Sequence, residues 1–262
     1  MQFFVKLIVC LLAGAGAGIG TGFAGMSAAA VIGPMLITFL DIPAYQAVGV
    51  GLASDVLASA VSAWTYHKHK NLDIRNGLVM MACVLAFTMA GSFAASFLPN
   101  AAMGSTSVFM TMLLGIRFLV KPVMTTKASM EAVPKKERIV KSVLGGTGIG
   151  FICGFVGAGG GMMMLLVLTS LLGYELKTAV GTSVFVMTFT ALTGAVSHFA
   201  IGGTPDILTV VFCIVFTFLF ARIAAVIANR AETKTLNRVT GIVLILLGVS
   251  VLGFEALSGL TA

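Results

Sequence analysis

Ten apolar stretches separated by short polar breaks run the length of the chain. They lie at residues 3–23, 27–40, 44–66, 76–97 and 102–120, and then at 139–156, 160–173, 178–200, 207–228 and 239–257. None alternates polar and apolar positions as a barrel strand does, and most are long enough to cross a hydrocarbon layer about 30 Å thick as helix. The pattern predicts an all-α integral membrane protein, because a helix satisfies its own backbone in lipid. Turn signals at Asp41 to Pro43, Pro99-Asn100 and Gly202 to Asp206 mark reversals.

The ten stretches are five, used twice. Displacing the sequence by 132 positions lays Leu12, Gly14, Gly16, Gly18, Gly22, Phe23 and Gly25 on Leu144, Gly146, Gly148, Gly150, Gly154, Phe155 and Gly157 without a gap. In the same register Leu36, Leu40, Ala47, Val48, Gly49 and Ala63 meet Leu168, Leu172, Ala179, Val180, Gly181 and Ala195. A duplicated apolar unit is a mark of transporters, whose substrate sites lie where the copies meet. The expected organisation is a first repeat at 1–121, a basic linker at 122–138 and a second repeat at 139–262.

Composition agrees and removes other classes. Apolar residues make up 58% of the chain and charged residues 10%, against roughly 25% charged in a soluble domain. The net charge of +7 does not indicate a nucleic-acid binder, because the basic residues sit between apolar stretches, where they set topology. Cys10, Cys83, Cys153 and Cys213 all fall inside apolar stretches without metal-ligand spacing and are expected to be small buried side chains. Met1 to Gly18 has the outline of a secretory signal, but cleavage there would remove part of a repeat, so it is expected to be retained.

If the linker is cytoplasmic and each stretch reverses direction, every basic residue but Lys6 falls on or near the inner face. Both termini are then outside, in a multi-pass protein of the cell membrane. Five stretches per copy make the second copy upside down relative to the first, an inverted repeat.

The second and seventh stretches are the informative ones. Ser27 to Leu40 gives about 21 Å of helix at 1.5 Å per residue, too short to cross comfortably, so a broken or re-entrant hairpin is expected. Each follows a glycine-dense run, Gly14 to Gly25 and Gly145 to Gly161. A short helix starting inside the membrane aims unpaired N–H groups and its positive end at the gap, which suits an anion. Tight helix packing is the competing account of the glycines.

The stretch Gly154-Phe-Val-Gly-Ala-Gly-Gly-Gly161, with Ala179-Val-Gly-Thr-Ser183 and Ser197-His198, resembles the signature of the sulfite exporter TauE/SafE family, also called the toluene sulfonate uptake permeases. The resemblance covers nearly the whole chain. It implies a secondary carrier of sulfur-containing anions such as sulfite, sulfoacetate or sulfonates, with Gly25, Met26, Ser27, Gly49, Gly157, Gly159, Gly160, Gly161, Thr182 and Ser183 as candidate substrate contacts. The first copy departs from the pattern: the glycine triplet is Ser27-Ala28-Ala29, and Gly-Thr-Ser becomes Gly49-Val50-Gly51.

Along the third stretch Gly51, Asp55, Ser59, Ser62 and Tyr66 recur at helical spacing, and Ser183, Met187, Thr190, Gly194 and Ser197 form the matching stripe in the second copy. Asp55 lies near the middle of its stretch, where a carboxylate costs roughly 2.5 to 3.5 kcal/mol to insert and is usually paired, protonated or wet. An approaching anion favours the protonated acid, so Asp55 is the candidate for coupling transport to protons. His198 and Arg222 are candidate substrate or gating residues, with snorkelling to the surface the competing account of Arg222 and Arg117. Neither a metal-ligand cluster, a nucleophile–base pair nor a phosphate loop stands out, so neither a cofactor nor enzyme chemistry is expected. A carrier or channel for another small solute, such as an amino acid or a metal ion, stays open. The sequence does not specify oligomeric state.

Overall fold

The computed structural model describes residues 2–95, 112–113, 115–156, 160–202 and 206–260, and every regular element among them is a helix. The helices are α1 (Gln2–Ala24), α2 (Ala29–Leu40), α3 (Ala44–Lys68), α4 (Ile74–Ala95) and α5 (115–120), then α6 (Lys127–Glu131) and α7 (Lys135–Val156). They continue as α8 (Gly160–Ser170), α9 (Leu176–Gly202), α10 (Ile207–Arg230) and α11 (Thr233–Leu260). Phe3–Ala24, Ala44–Lys68, Leu176–Ala200 and Ile207–Arg230 are each long and apolar enough to cross a membrane, with shorter apolar helices beside them. The protein is therefore a multi-pass membrane protein.

Two helices start earlier than their apolar runs. α7 begins at Lys135 and α11 at Thr233, because lysine, glutamate and arginine are good helix formers and their charged heads can stay in water while the backbone winds. Residues 102–111, the Pro99-Asn100 turn and 203–205 lie outside the described residues.

The short second helix arises from local chemistry. Gly25 takes a left-handed φ of 61°, and its N–H bonds to Thr21 O at 2.9 Å, an αL stop for α1, while Met26 N–H bonds to Gly20 O at 3.2 Å. The chain then turns back, so that Gly20 lies against Met26 and Gly16 against Val31. Asp41, also left-handed, ends α2, and Pro43 precedes α3. Twelve residues of α2 and eleven of α8 reach only about 18 and 17 Å, well short of a 30 Å layer.

Packing comes in matched pairs. α1 and α10 run side by side in the same direction at backbone contact: a Cβ on Gly14 would stand 2.6 Å from Phe216 Cβ, and one on Gly18 would stand 2.6 Å from Thr217 O and 2.8 Å from Phe220 Cβ. α4 and α7 reproduce this one copy on. A Cβ on Gly146 would stand 2.9 Å from Cys83 Cβ, and one on Gly150 would stand 2.6 Å from Val84 O and 3.0 Å from Phe87 Cβ. The first helices correspond at 132 positions and the fourth at 133. With little hydrophobic drive between helices in lipid, such close backbone approach is what holds them, and only glycine allows it.

Each pair also carries an ion pair at its start. Lys6 Nζ meets Asp206 Oδ2 at 2.7 Å, and the corresponding Arg138 Nη1 meets Asp73 Oδ2 at 3.6 Å. Both acids cap the helix they precede: Asp206 accepts from Thr209 N–H and Asp73 from Asn76 N–H. Between the pairs, α3 and α9 cross in opposite directions, Gly49 against His198 and Phe199 at one end and Gly181 against Tyr66 and Asn71 at the other. α5 and α11 are likewise antiparallel, with Gly115 against Ile245 and Gly248 against Met112.

Candidate functional site

The break after α1 lies against the middle of α3 and the first third of α9. Asp55, 1% exposed, accepts from Ser27 Oγ at 2.7 Å, from Ser59 Oγ at 2.9 Å and from the Ala28 N–H. Its carboxylate therefore sits on the positive end of α2, supplying from within the chain the anion that such an end attracts. Gly51 allows this approach, since a Cβ there would lie 2.5 Å from Ala29 Cα.

The α1 side of the break is also satisfied. Tyr66 Oη donates to Gly22 O at 2.9 Å, Thr240 Oγ1 to Phe23 O at 3.3 Å and Thr21 Oγ1 to Met26 O at 2.8 Å. Buried carbonyls freed by ending a helix in apolar surroundings need such donors.

The two copies touch at this point. Gly25 abuts Ser183 Oγ, and Gly161 abuts both the Gly25 carbonyl and Met187 Sδ. Gly25, Ser27, Asp55, Gly161 and Ser183 thus form one group between the helices, with Met26 buried beside Gly20. Gly160 opens α8, while Gly157 and Gly159 lie outside the described residues.

The second copy lacks the polar fittings of the first. At the 132-residue register Asp55 corresponds to Met187, Ser59 to Ala191, Ser27 to Gly159 and Gly51 to Ser183. One break holds an internal carboxylate, and its counterpart meets a thioether.

Other expected site residues go elsewhere. Gly49 and His198 belong to a contact between the start of α3 and the end of α9, in which His198 Nδ1 lies 3.0 Å from Tyr45 O and the imidazole stacks on the Tyr45 ring at 4.2 Å. Thr182 Oγ1 accepts the Asp73 N–H at 3.2 Å, joining the α3–α4 loop to α9. Arg222 is exposed on α10, where its long stem can reach the membrane surface.

Residues missed by periodicity build a second polar group around Asp73. Its carboxylate receives Tyr174 Oη at 2.8 Å and Asn76 Nδ2 at 2.6 Å beside Arg138, and Arg138 Nη2 donates to Met130 O at 2.7 Å. Burial first, then the neighbouring carboxylate, pushes the Tyr174 phenol above its ordinary range and keeps it a donor. Nearby, Asn71 Nδ2 donates to Asn229 Oδ1 at 2.8 Å and Lys177 Nζ to Asn229 O at 2.9 Å. Only half of the signal for the reciprocal ion pairs was present in the sequence, since Lys6 and Arg138 correspond in the repeat register but Asp73 and Asp206 do not.

Comparison with known proteins finds relatives named as membrane transporters. The chain is 25% identical over 270 residues to a protein named "Probable membrane transporter protein YunE" of Bacillus subtilis, covering 95% of this chain and 96% of that one. It is 28% identical over 210 residues to a "Probable membrane transporter protein" of Haemophilus influenzae, covering 77% of each. No solved structure matches. The model of the sulfite exporter TauE/SafE family matches residues 10–251, and the chain belongs to that family of membrane transporters.

Proposed function

We propose that the protein is a secondary carrier of small sulfur-containing anions, of the sulfite, sulfonate or sulfoacetate kind, working by alternating access of two inverted repeats and coupled to protons through Asp55. The observation that carries this reading is the meeting of the two helix breaks: Gly25 of one copy abuts Ser183 and Gly161 of the other, at the depth where Asp55 sits. The inverted relation is supported by the antiparallel crossing of the corresponding helices α3 and α9, and by the corresponding pairs α1–α10 and α4–α7.

The inequality of the two breaks gives the mechanism. Asp55 already serves α2, so the substrate anion is assigned to the start of α8, beside which Met187 brings no charge. Ser27, which donates to Asp55, is two residues from Gly25, which touches Gly161. An anion at α8 then lies close to the Asp55 carboxylate, and like-charge repulsion favours arrival of a proton with the anion. Protonated Asp55 can still accept from Ser59 and Ser27, so the break keeps its shape through the cycle.

A ligand panel tests the substrate class. Purified protein is heated with sulfite, thiosulfate, an alkylsulfonate, a carboxylate, an amino acid or a divalent cation. A true ligand at a hundred times its Kd adds about 2.7 kcal/mol of stability. Stabilisation by the sulfur anions is expected, and stabilisation only by cations or neutral solutes overturns the reading.

A further inference from the structure

We infer that the units that move in this carrier are not the two sequence copies but two exchanged helix pairs, α1 with α10 and α4 with α7, each built from one helix of each copy. The inference rests on the transport reading above for its purpose, but its geometry stands apart from the substrate.

Contact along each pair is continuous and rigid. From one end of α1 to the other it meets α10 at Lys6–Asp206, Gly14–Phe216, Gly18–Thr217 and Gly22–Ala224, and Cys10 and Cys213 are buried between the first two. α4 and α7 meet at Asp73–Arg138, Met80–Gly146, Cys83–Gly146 and Val84–Gly150. Most of the glycine contacts are to backbone atoms or Cβ atoms, which cannot swing aside, so the members of a pair cannot slide past each other without breaking several at once.

Contact between the pairs has the opposite character. Among the described residues α1 makes no extensive face with α4 or α7, and α10 makes none with either. What joins them is the crossing of α3 and α9, together with the short helices α2 and α8. Within one copy, the first and fourth helices are thus held to the partner copy more firmly than to each other. If the copies rocked as blocks, every rocking step would have to pull α1 from α10 and α4 from α7, breaking an ion pair on each side. If the exchanged pairs move, both ion pairs and all these glycine contacts persist, and the change falls on the interfaces with α3 and α9 around the site.

Distances between spin labels decide between the two. In a background with the four cysteines replaced by alanine, labels are placed at exposed positions on α1 (Leu12→Cys), α4 (Leu78→Cys), α7 (Leu144→Cys) and α10 (Val215→Cys). Distance distributions are measured in lipid vesicles at acid and alkaline pH, with and without sulfite. The exchanged-pair account predicts narrow, unmoving distributions for Leu12–Val215 and Leu78–Leu144. It predicts broader or displaced ones for the same-copy pairs Leu12–Leu78 and Leu144–Val215. Same-copy distributions as narrow as the exchanged ones, or narrower, overturn it. Sulfite uptake by the same labelled vesicles is read separately. Absence of uptake with the predicted ordering of widths retires the proposed substrate and leaves the exchanged pairs standing.

Discussion

Gly18 is where the close approach of α1 and α10 can be tested most sharply. A methyl group there would stand 2.6 Å from Thr217 O, 2.7 Å from Ala221 N and 2.8 Å from Phe220 Cβ, all of them backbone or Cβ atoms. Relief requires the helices to separate by most of an ångström, an overpacking that costs about 1–3 kcal/mol. Alanine recovers about 0.8–1 kcal/mol of helix propensity, so Gly18→Ala should lose up to about 2 kcal/mol net. At roughly 2–4 °C per kcal/mol for a chain of this order of size, the unfolding midpoint in detergent falls by up to about 8 °C. Gly150→Ala, with Val84 O at 2.6 Å, should behave alike, whereas Gly148, with nothing within 4 Å, should tolerate or gain from alanine. Thermal unfolding of the three variants under one set of conditions is the assay. Equal midpoints for Gly18→Ala and Gly148→Ala would refute the packing argument.

Further outcomes follow from single contacts. Tyr66→Phe leaves the Gly22 carbonyl buried without its donor and should cost about 1–3 kcal/mol of thermal stability, whereas no loss would remove Tyr66 as the cap of α1. Arg138→Ala strips the cation from an Asp73 group that is only 15% exposed and should cost about 3–5 kcal/mol, measured by thermal or denaturant unfolding. Lys6→Ala, at a wetter pair, should cost visibly less, and the reverse ranking would show the burial argument to be wrong. The Lys6 hydrogen bond holds the Asp206 carboxyl below its ordinary range, so its stabilisation is complete above that range and lost as pH falls through the native value. Acidification should therefore erode the wild type more than Asp206→Asn, a difference read from unfolding midpoints across pH.

The recurrence of glycines along the sequence has a cause in backbone contact. Gly14 and Gly18 recur as Gly146 and Gly150 since each must admit a neighbouring helix, and that demand survives drift in the lipid-facing residues. The short second and seventh helices were legible from length alone. Asp55 stood out through the cost of burying a charge, but its use as the cap of α2 did not, because Ser27 and Ala28 reach it only through a turn that Gly25 sets. Thr182 illustrates the limit of motif reading: it sits beside Ser183 in sequence yet faces Asp73, since adjacent helical residues point about 100° apart. The ion pairs join residues far apart in the chain, and the one-residue difference in offset between first and fourth helices hid their symmetry from a gapless comparison.

Uptake of radiolabelled sulfite by proteoliposomes under an imposed pH gradient, for wild type beside Asp55→Asn, bears most directly on the proposed function. Asparagine keeps the size and one acceptor oxygen for Ser27 or Ser59 but can neither ionise nor carry a proton. The account predicts gradient-driven accumulation in the wild type and, in a folded Asp55→Asn, exchange or uptake that no longer responds to the gradient. Undiminished, equally pH-dependent uptake by the variant would contradict it.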